Sequence, residues 1–447
     1  MTTRRDGASP PGDRVGTQPL VTVVVPHYES PEPLARLLEA LRHTTLPADQ
    51  VEVVVADDGS TTPPVLPDDH PMTLRLVRQE RDGFRAAAAR NLGARAARGR
   101  VLVLLDGDML PEPDCLEQLA RAAGAGHPTL VVGRRRHHEV TGWSADRVGV
   151  WLRGEGPAPQ ELEEPAWLAD GYRWTDHLRA ADDASFRYVI SAVMAVPRAA
   201  FEELGGFDES FVGYGGEDWE LAQRCWLAGW DLLHEHRAVA WHDGPEISGR
   251  AEDLVAVKNA ETAHLARRLT HPLVRGRGLA YAVPDTVIEA DATDWPLGAA
   301  LVAVESWLRD ADAGVWWGDT ASDALLEALA EDPRVHGGSP PDEVLARCRW
   351  RVRVERPVTV TGSWEDVVRD AVSVPSVGGS PGVGESAAVA RVATSRRLAR
   401  ARLTGEADAW CAVHGVDAPA SSSPDDAPPV RLLADDVMVE RARQVWL

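Results

Sequence analysis

The sequence lacks any hydrophobic run that approaches the roughly 20 apolar residues needed to cross a membrane. Residues 1–17 contain arginines but no apolar core after them, so they do not resemble a secretory signal, and we predict a disordered leader. Cysteine is also scarce. The four cysteines lie far apart and form no CxxC pair, which argues against a zinc site or a disulfide framework and favours a cytoplasmic protein.

Positive charge is in short supply as well. The 447 residues include 69 acidic and 47 basic side chains, a formal net charge of −22. A protein with this balance repels polyanions, so nucleic acid is not an expected partner. A diphosphate could still bind if a metal ion or a few local arginines neutralised it. The length suits two domains, and the 44% hydrophobic content suffices for a sizeable core.

The N-terminal half alternates between short apolar runs and segments with helical spacing. Residues 20–26, 51–56 and 101–105 are predicted to be strands buried on both faces. A further strand is predicted at 73–77 and helices at 33–43 and 85–98, with Gly99 as the C-cap of the second helix. This order is typical of an α/β fold with a mostly parallel sheet.

Polar clusters follow three of these strands: His27-Tyr28-Glu29, Asp57-Asp58 and Asp106-Gly107-Asp108. Ligands of such sheets bind beyond the carboxyl ends of the strands, so the clusters are expected to converge on one crevice. The alternative is that Asp and Gly simply form good turns. Asp106 and Asp108 would provide hard oxygen ligands for Mg²⁺ or Mn²⁺, and the metal could bridge two phosphates.

Four motifs then occur in order: VTVVVPHYES, VVADDGS, GFRAAAARNLGARAARGRVLVLLDGDMLP and GGFDESFVGYGGEDWELAQRCWLAGW. Together they resemble glycosyltransferase family 2 over roughly residues 20–245. The last motif also resembles the acceptor-side motif of β-1,4-galactosyltransferases and polypeptide N-acetylgalactosaminyltransferases. The resemblance implies a GT-A fold and metal-dependent transfer of a sugar from a nucleotide diphosphate donor, with UDP as the family's usual nucleotide.

The resemblance also assigns donor-side roles. Pro26, His27 and Tyr28 would line the nucleotide pocket, and Asp57 and Asp58 would face the base and ribose.

Arg90 would be directed at the diphosphate, because a guanidinium stays charged and binds phosphate bidentately. The alternative is a solvent-facing helix residue, like Arg95 and Arg98. His242 would complete the metal site with Asp108 and Asp106, which favours Mn²⁺ over Mg²⁺.

Glu217 and Asp218 form the predicted second centre, where Gly215 and Gly216 permit a tight turn. By the resemblance, Asp218 is the general base for an acceptor hydroxyl, Glu217 binds sugar hydroxyls, and the reaction inverts the anomeric centre. The alternative is that the two acids only stabilise a helix N-terminus. Trp219 replaces an acidic residue of the galactosyltransferase motif, so that group's acceptor specificity does not carry over.

The domain prediction is a catalytic domain at 18–272 and a smaller C-terminal α/β or α+β domain at 273–447. The C-terminal region shows no catalytic motif and no internal sequence repeat. It contains a candidate strand–helix–strand unit at 283–319, with its helix at 301–308, and a basic helix at 385–403. This domain could be a degenerate α/β unit that positions the acceptor or forms a homodimer. Residues 134–138, a basic cluster, are interpreted as a solvated strand end.

Two other functions stay open from the sequence. A nucleotidyltransferase would also use acidic metal ligands, but residues 20–29 offer no glycine-rich, lysine-bearing phosphate loop. A non-catalytic sugar-nucleotide-binding protein could keep the fold without the base. The acceptor could be a saccharide, a peptide or a small molecule.

Overall fold

The computed structural model describes residues 20–213, 215–244, 254–373, 388–406, 409–413 and 430–433; the predicted leader lies outside them. The strands are β1 Val21–His27, β2 Val51–Asp57, β3 Thr73–Arg78, β4 Val101–Leu105, β5 Met109–Pro111, β6 Thr129–Glu139, β7 Gln160–Leu162, β8 Val193–Pro197, β9 Asp231–Asp243, β10 Thr286–Ala290, β11 Ala313–Trp316, β12 Val335–His336, β13 Trp350–Val354, β14 Val358–Val360, β15 Ala390–Thr394, β16 Cys411–Val413 and β17 Val430–Leu432. The helices are α1 Pro31–Leu41, α2 Ala86–Ala96, α3 Cys115–Ala123, α4 Ala145–Leu152, α5 Ala166–Trp174, α6 Arg198–Glu203, α7 Glu217–Leu227, α8 Leu254–Leu265, α9 Leu297–Leu308, α10 Asp323–Leu329, α11 Asp342–Arg347, α12 Trp364–Ser373 and α13 Ser395–Thr404.

The chain divides into two compact units. The first comprises Met1–Pro165, Ser191–Gly205 and His234–Glu246, and the second comprises Ala166–Ile190, Gly206–Leu233 and Ile247–Leu447. The predicted domain boundary at residue 272 stays a prediction. None of the helices in the described ranges is both long and apolar enough to span a bilayer.

The large sheet has the strand order β3-β2-β1-β4-β8-β6-β9-β5, with β7 paired to β6. Strands β3, β2, β1 and β4 run parallel, whereas β8 joins β4 antiparallel. The α/β class and the parallel part of the sheet are therefore confirmed. Because β1, β2 and β4 are parallel neighbours, their carboxyl ends share one edge, and His27 is the register partner of Asp57.

The strands of this parallel region form because their side chains are buried on both faces. Every residue of β2 and β4 is buried, and alternate valines and leucines of these strands share a core cluster with the apolar face of α1. Helix α1 begins with Pro31, whose fixed φ suits the first helical turn. This packed core holds the polar strand ends in place at one edge.

Two glycines, one in α2 and one after it, allow the backbone to lie close against the sheet. A Cβ on Gly93 would lie 2.3 Å from Val24 Cγ1 and 3.5 Å from the Ala56 Cβ. The prediction that Gly99 caps this helix is wrong, because the helix ends at Ala96 and its C-cap is Ala97. Gly99 instead passes against Thr22, and its N–H donates to Thr22 Oγ1 at 2.7 Å.

Replacing Gly93 with Ala is expected to destabilise the protein, although alanine is normally the better helix former. Overpacking costs about 1–3 kcal/mol, whereas the helix propensity gained is about 1 kcal/mol. Because 2.3 Å is far shorter than van der Waals contact, the upper part of the overpacking cost applies, about 2–3 kcal/mol. The free energy of unfolding, measured by urea titration, should therefore fall by about 1–2 kcal/mol. Gly276→Ala is the control, because its Cβ would have no neighbour within 4 Å. Equal stability of Gly93→Ala and the native protein would contradict the close approach.

The second unit contains a six-stranded sheet with the order β12-β11-β10-β13-β15-β16. Strands β12, β11, β10 and β13 are parallel, and β15 pairs antiparallel with β13. The predicted strand–helix–strand unit is confirmed as β10, α9 and β11. With its strands numbered in chain order, this sheet reads 3-2-1-4 followed by an antiparallel strand, as does the first sheet. The topology thus repeats where the sequence shows no repeat.

The predicted helix at 385–403 is wrong in its N-terminal part. Residues Ala390–Thr394 form β15, which pairs with β13, and the helix begins only at Ser395; residues 385–387 lie outside the described part of the chain. The Thr394 side chain accepts a hydrogen bond from the Arg397 N–H at 3.0 Å, and Gly405 ends the helix at φ 74°. The strand pairing therefore outweighs the local helix preference, and the cap fixes where the helix starts.

Candidate active site

His27 is the last residue of β1 and Tyr28 follows it, and both belong to the first unit. His27 is 5% exposed, and burial lowers its pKa although the charge of Asp57 acts in the opposite direction. The Arg81 guanidinium lies over the Tyr28 ring, 3.5 Å from its centroid. The cation therefore covers one face of the ring predicted to line the nucleotide pocket. Pro26 pairs with Ala56 in the same parallel ladder.

Asp57 and Asp58 end β2, and both are engaged by neighbouring groups. Asp57 is fully buried, and its Oδ1 accepts hydrogen bonds from the N–H and hydroxyl of Ser60. Asp58 accepts from Gln79 Nε2 at 2.7 Å and from the Arg85 N–H at 3.0 Å. Asp57 thus shapes the turn after β2, and Asp58 receives the N–H at the start of α2. The turn-forming alternative describes these contacts, and the nucleoside-binding role stays a prediction.

Arg90 lies on α2 but does not face solvent. It is 3% exposed, and its Nη2 donates to Asp106 Oδ1 at 2.7 Å. The solvent-facing alternative is therefore wrong. Arg90, which is predicted to bind the diphosphate, thus bonds the first carboxylate of the Asp106-Gly107-Asp108 motif, called the DxD motif below.

Asp108 and His242 come together across paired strands. Met109, directly after Asp108, is the register partner of His242 between β5 and β9. This pairing places His242 Nε2 3.4 Å from Asp108 Oδ2. The Gly244 carbonyl lies 3.3 Å from His242 Nδ1, and since a carbonyl only accepts, the hydrogen-bond network assigns a proton to Nδ1.

The contact between Asp108 and His242 favours a cation between them. With the proton on Nδ1, the neutral imidazole presents a lone pair at Nε2 to a carboxylate oxygen, and a proton or a metal ion between the two atoms would remove this repulsion. Burial works against charge on both groups, but the hydrogen bond and mutual charge lower the pKa of Asp108 and raise that of His242. The nearby Arg135 also lowers the pKa of Asp108.

The donor set fits a divalent ion in part. A carboxylate and an imidazole with a second hydrogen bond to a carbonyl are typical metal ligands. Among the described residues, however, no group of three or more His, Cys, Asp or Glu side chains is placed to hold a metal. The third predicted ligand, Asp106, bonds Arg90 instead. Asp106 would have to exchange that partner to join Asp108 and His242.

Buried residues that the sequence analysis did not select hold His242 in position. Arg36 is 6% exposed and pairs with Asp243 at 2.9 Å, and Asp243 Oδ1 also accepts the Val140 N–H at 3.2 Å. His137 packs against His242 with ring centroids 5.0 Å apart. Residues 134–138 lie near the end of β6, where the three arginines are half-buried and His137 and His138 are fully buried. Burial lowers the pKa of His138 to about 4.

Glu217 and Asp218 begin α7 in the second unit. Gly215 and Gly216 precede them at φ 92° and 93°, a conformation that favours glycine. Glu217 is buried, and Asp218 is half-buried with its Oδ1 accepting the Trp219 N–H at 2.8 Å. The glycines therefore fix a sharp entry to the helix, and both acids lie in its first turn. The helix-stabilising alternative accounts for that position, and the catalytic roles stay predictions.

Comparison with known proteins bears on this arrangement. Residues 22–190 match the family described as glycosyl transferase family 2, and residues 180–237 match the family described as the N-terminal domain of galactosyltransferase. The segment that matches family 2 contains β1, β2 and β4 and the polar clusters that follow them.

Several relatives are named glycosyltransferases. The validoxylamine A glucosyltransferase of Streptomyces hygroscopicus subsp. jinggangensis is 33% identical over 232 residues, 49% of this chain and 52% of that protein. The hyaluronan synthase of Pasteurella multocida is 27% identical over 278 residues, 57% of this chain and 27% of the synthase. The chain thus spans about half the length, or less, of these two relatives.

Among solved structures, a mannosyltransferase from Pyrobaculum calidifontis in complex with GDP-Man and Mn²⁺ is 21% identical, with a TM-score of 0.39. The alignment covers 58% of this chain and 67% of that one.

Proposed function

We propose that the protein is a metal-dependent glycosyltransferase that moves a sugar from a nucleotide diphosphate donor to a hydroxyl acceptor. The observation that carries the proposal is the family 2 match of residues 22–190. Within that segment the DxD motif, Asp106-Gly107-Asp108, directly follows β4. The contact between Asp108 and His242 at 3.4 Å supports it, because it joins that motif to a histidine outside the matched segment.

In this proposal the carboxyl edge of the first sheet binds the donor. Pro26, His27 and Tyr28 line the nucleoside pocket, and Asp57 and Asp58 face the base and ribose. A UDP-sugar is the expected donor. Arg90 offers a permanent positive charge to the donor in a protein whose net charge is −22. It is directed at the diphosphate when Asp106 turns towards the metal.

Asp108 and His242 would hold the metal ion, with Asp106 as a further ligand. A divalent ion bound there would supply Lewis-acid stabilisation of the leaving diphosphate. The Gly244 carbonyl fixes the imidazole orientation by accepting from Nδ1, so that Nε2 is available to the ion. Arg36 and Asp243 hold the strand end that carries His242.

On the acceptor side, Asp218 is proposed as the general base. Its carboxylate, whose Oδ1 accepts the Trp219 N–H, is proposed to take the proton of the attacking hydroxyl. Glu217 would bind hydroxyls of acceptor or donor. A single displacement of the nucleoside diphosphate by the acceptor hydroxyl, with the proton passing to Asp218, would invert the anomeric configuration. The acceptor class is a saccharide, a peptide or a small hydroxylated molecule.

A panel of nucleotide sugars, each with and without Mn²⁺, tests donor binding. A ligand that binds only the native state raises the melting temperature, and at 100 times its Kd the shift should be roughly 5–10 °C for a unit of this size. We expect one donor to give such a shift only with the metal, whereas Mn²⁺ alone and the free sugar give almost none. No shift with any donor at saturating Mn²⁺ would contradict the proposed donor site.

A further inference from the structure

The second sheet has a cavity at its carboxyl edge, separate from the residues considered above. Its volume is about 280 Å³, and it is formed entirely within the second unit. The residues that follow the four parallel strands line it. They are Asp291 after β10, Trp317 after β11, Ser339 after β12 and Glu355 after β13. The cavity is therefore a product of the strand ends rather than of a surface loop.

The strand order places this cavity at a switch point. From β10 the chain passes through α9 to β11 and then through α10 to β12, so both strands lie on one side of β10 within the sheet. It then passes through α11 to β13 on the other side of β10. Open α/β sheets bind ligands outside the carboxyl ends of their strands where the order reverses in this way. In the first sheet, the end of β1 and the end of β4 occupy the same topological position.

The lining does not favour an anionic ligand. It contains the three carboxylates of Glu289, Asp291 and Glu355 and the guanidinium of Arg353. Glu289 lies 3.7 Å from Arg353 and accepts from Arg351 at 3.0 Å, and Glu355 lies 3.2 Å from Arg391. A phosphate would thus find no uncommitted cation in the lining.

The same lining does not suit a metal ion. Among the described residues, no three carboxylates or imidazoles are close enough to share one. The cavity does offer groups that bond hydroxyls, namely carboxylate oxygens and the hydroxyl of Ser339. Trp317 is fully buried, and its indole N–H has no hydrogen-bond acceptor within the described part of the chain.

We propose that this cavity is a second, non-catalytic site that binds a neutral saccharide without phosphate groups. Carboxylates accept hydrogen bonds from sugar hydroxyls without requiring a charged partner. A volume just below the roughly 300–1,000 Å³ typical of drug-sized ligands suits one or two sugar rings. The site does not depend on the donor site, since it lies on another sheet and takes an unphosphorylated ligand.

The test is binding of the full chain to an array of neutral oligosaccharides, followed by calorimetric titration with the array member bound most strongly. Ser339→Trp should fill the cavity and weaken binding by at least about tenfold, whereas Ser339→Ala, which removes one hydrogen bond, should weaken it by only about two- to fivefold. Asp291→Asn should weaken binding as well, because it removes a charged acceptor, and it decides the matter if Ser339→Trp does not fold. UDP should not compete.

Three results would overturn the proposal. The first is that the native protein binds no neutral saccharide. The second is that binding survives both Asp291→Asn and a folded Ser339→Trp. The third is that UDP displaces the saccharide, which would assign it to the donor site. Binding of nucleotide sugars, followed by thermal shift, should be the same in all of these variants, so failure here is distinguishable from failure of the proposed glycosyl transfer.

Discussion

Replacing Asp218 with Asn is expected to lower turnover by about 10²–10⁴-fold, the range typical for loss of a general base. In the native protein Asp218 Oδ1 accepts a hydrogen bond from the Trp219 N–H at 2.8 Å. Asparagine keeps the size of the side chain, and its carbonyl oxygen can still accept this hydrogen bond. The start of α7 should therefore stay intact. The amide cannot take a proton from an acceptor hydroxyl, so turnover is lost while the donor Kd changes by less than about twofold.

Steady-state rates and donor-induced thermal shifts on the same preparations separate these effects. Asp323→Asn is the matched control, because Asp323 is also an acidic residue in the first turn of a helix, α10. If Asp218 only stabilises its helix, both variants should lose a little stability and keep their turnover. That outcome would remove Asp218 from the chemistry.

Replacing Asp108 with Asn is expected to abolish the effect of Mn²⁺ on donor binding and to lower turnover by about 10²-fold or more, since a metal supplies several kcal/mol of charge stabilisation. The variant loses the carboxylate charge that faces His242 Nε2 at 3.4 Å. The pKa of His242 should fall, because burial lowers it and the hydrogen bond and charge interaction with Asp108 that raise it are lost.

The readout is the donor-dependent melting temperature with and without Mn²⁺, combined with the activity at saturating metal. Asp146→Asn, at an exposed aspartate in the first turn of α4, is the control for loss of one negative charge in the first unit. A metal-dependent shift of native size in Asp108→Asn would show that the ion, if bound, is held elsewhere.

The strands of the first sheet could be predicted from sequence because they are buried on both faces. Continuous valine and leucine runs leave little ambiguity, and β1, β2 and β4 appear within one or two residues of the predicted bounds. Their parallel pairing follows from the helices between them. The meeting of three polar strand ends at one edge therefore follows from local patterns alone.

The contacts of the polar residues could not be predicted, because they join positions far apart in the chain. Arg81 covers Tyr28, Arg36 holds Asp243, and Arg90 bonds Asp106. Each is an arginine in a sequence with 47 basic residues, and nothing in the local pattern separates the buried ones from those on the surface. Likewise Gly99 looks like a helix cap, although its role is a close approach to Thr22.

The strand order of the second sheet also could not be predicted from sequence. Helix α9 is apolar and was recognisable, but β12 has two residues and β15 lies in a basic segment with helical composition. The repeated strand order appears only when the pairing of β10 with β13 is known, a contact over more than 60 residues of chain. The cavity at its edge has no sequence signature of its own.

The most direct test of the account is the release of nucleoside diphosphate from the donor that gives the metal-dependent thermal shift. The protein would be incubated with that donor, Mn²⁺ and a mixture of saccharide, peptide and small hydroxylated acceptors, with chelator added in a parallel reaction. We predict release that requires both the metal and Asp218, accompanied by one acceptor gaining the mass of a sugar with inverted anomeric configuration. Tight donor binding without release in any mixture would contradict the account and indicate a protein that binds sugar nucleotides without transferring the sugar.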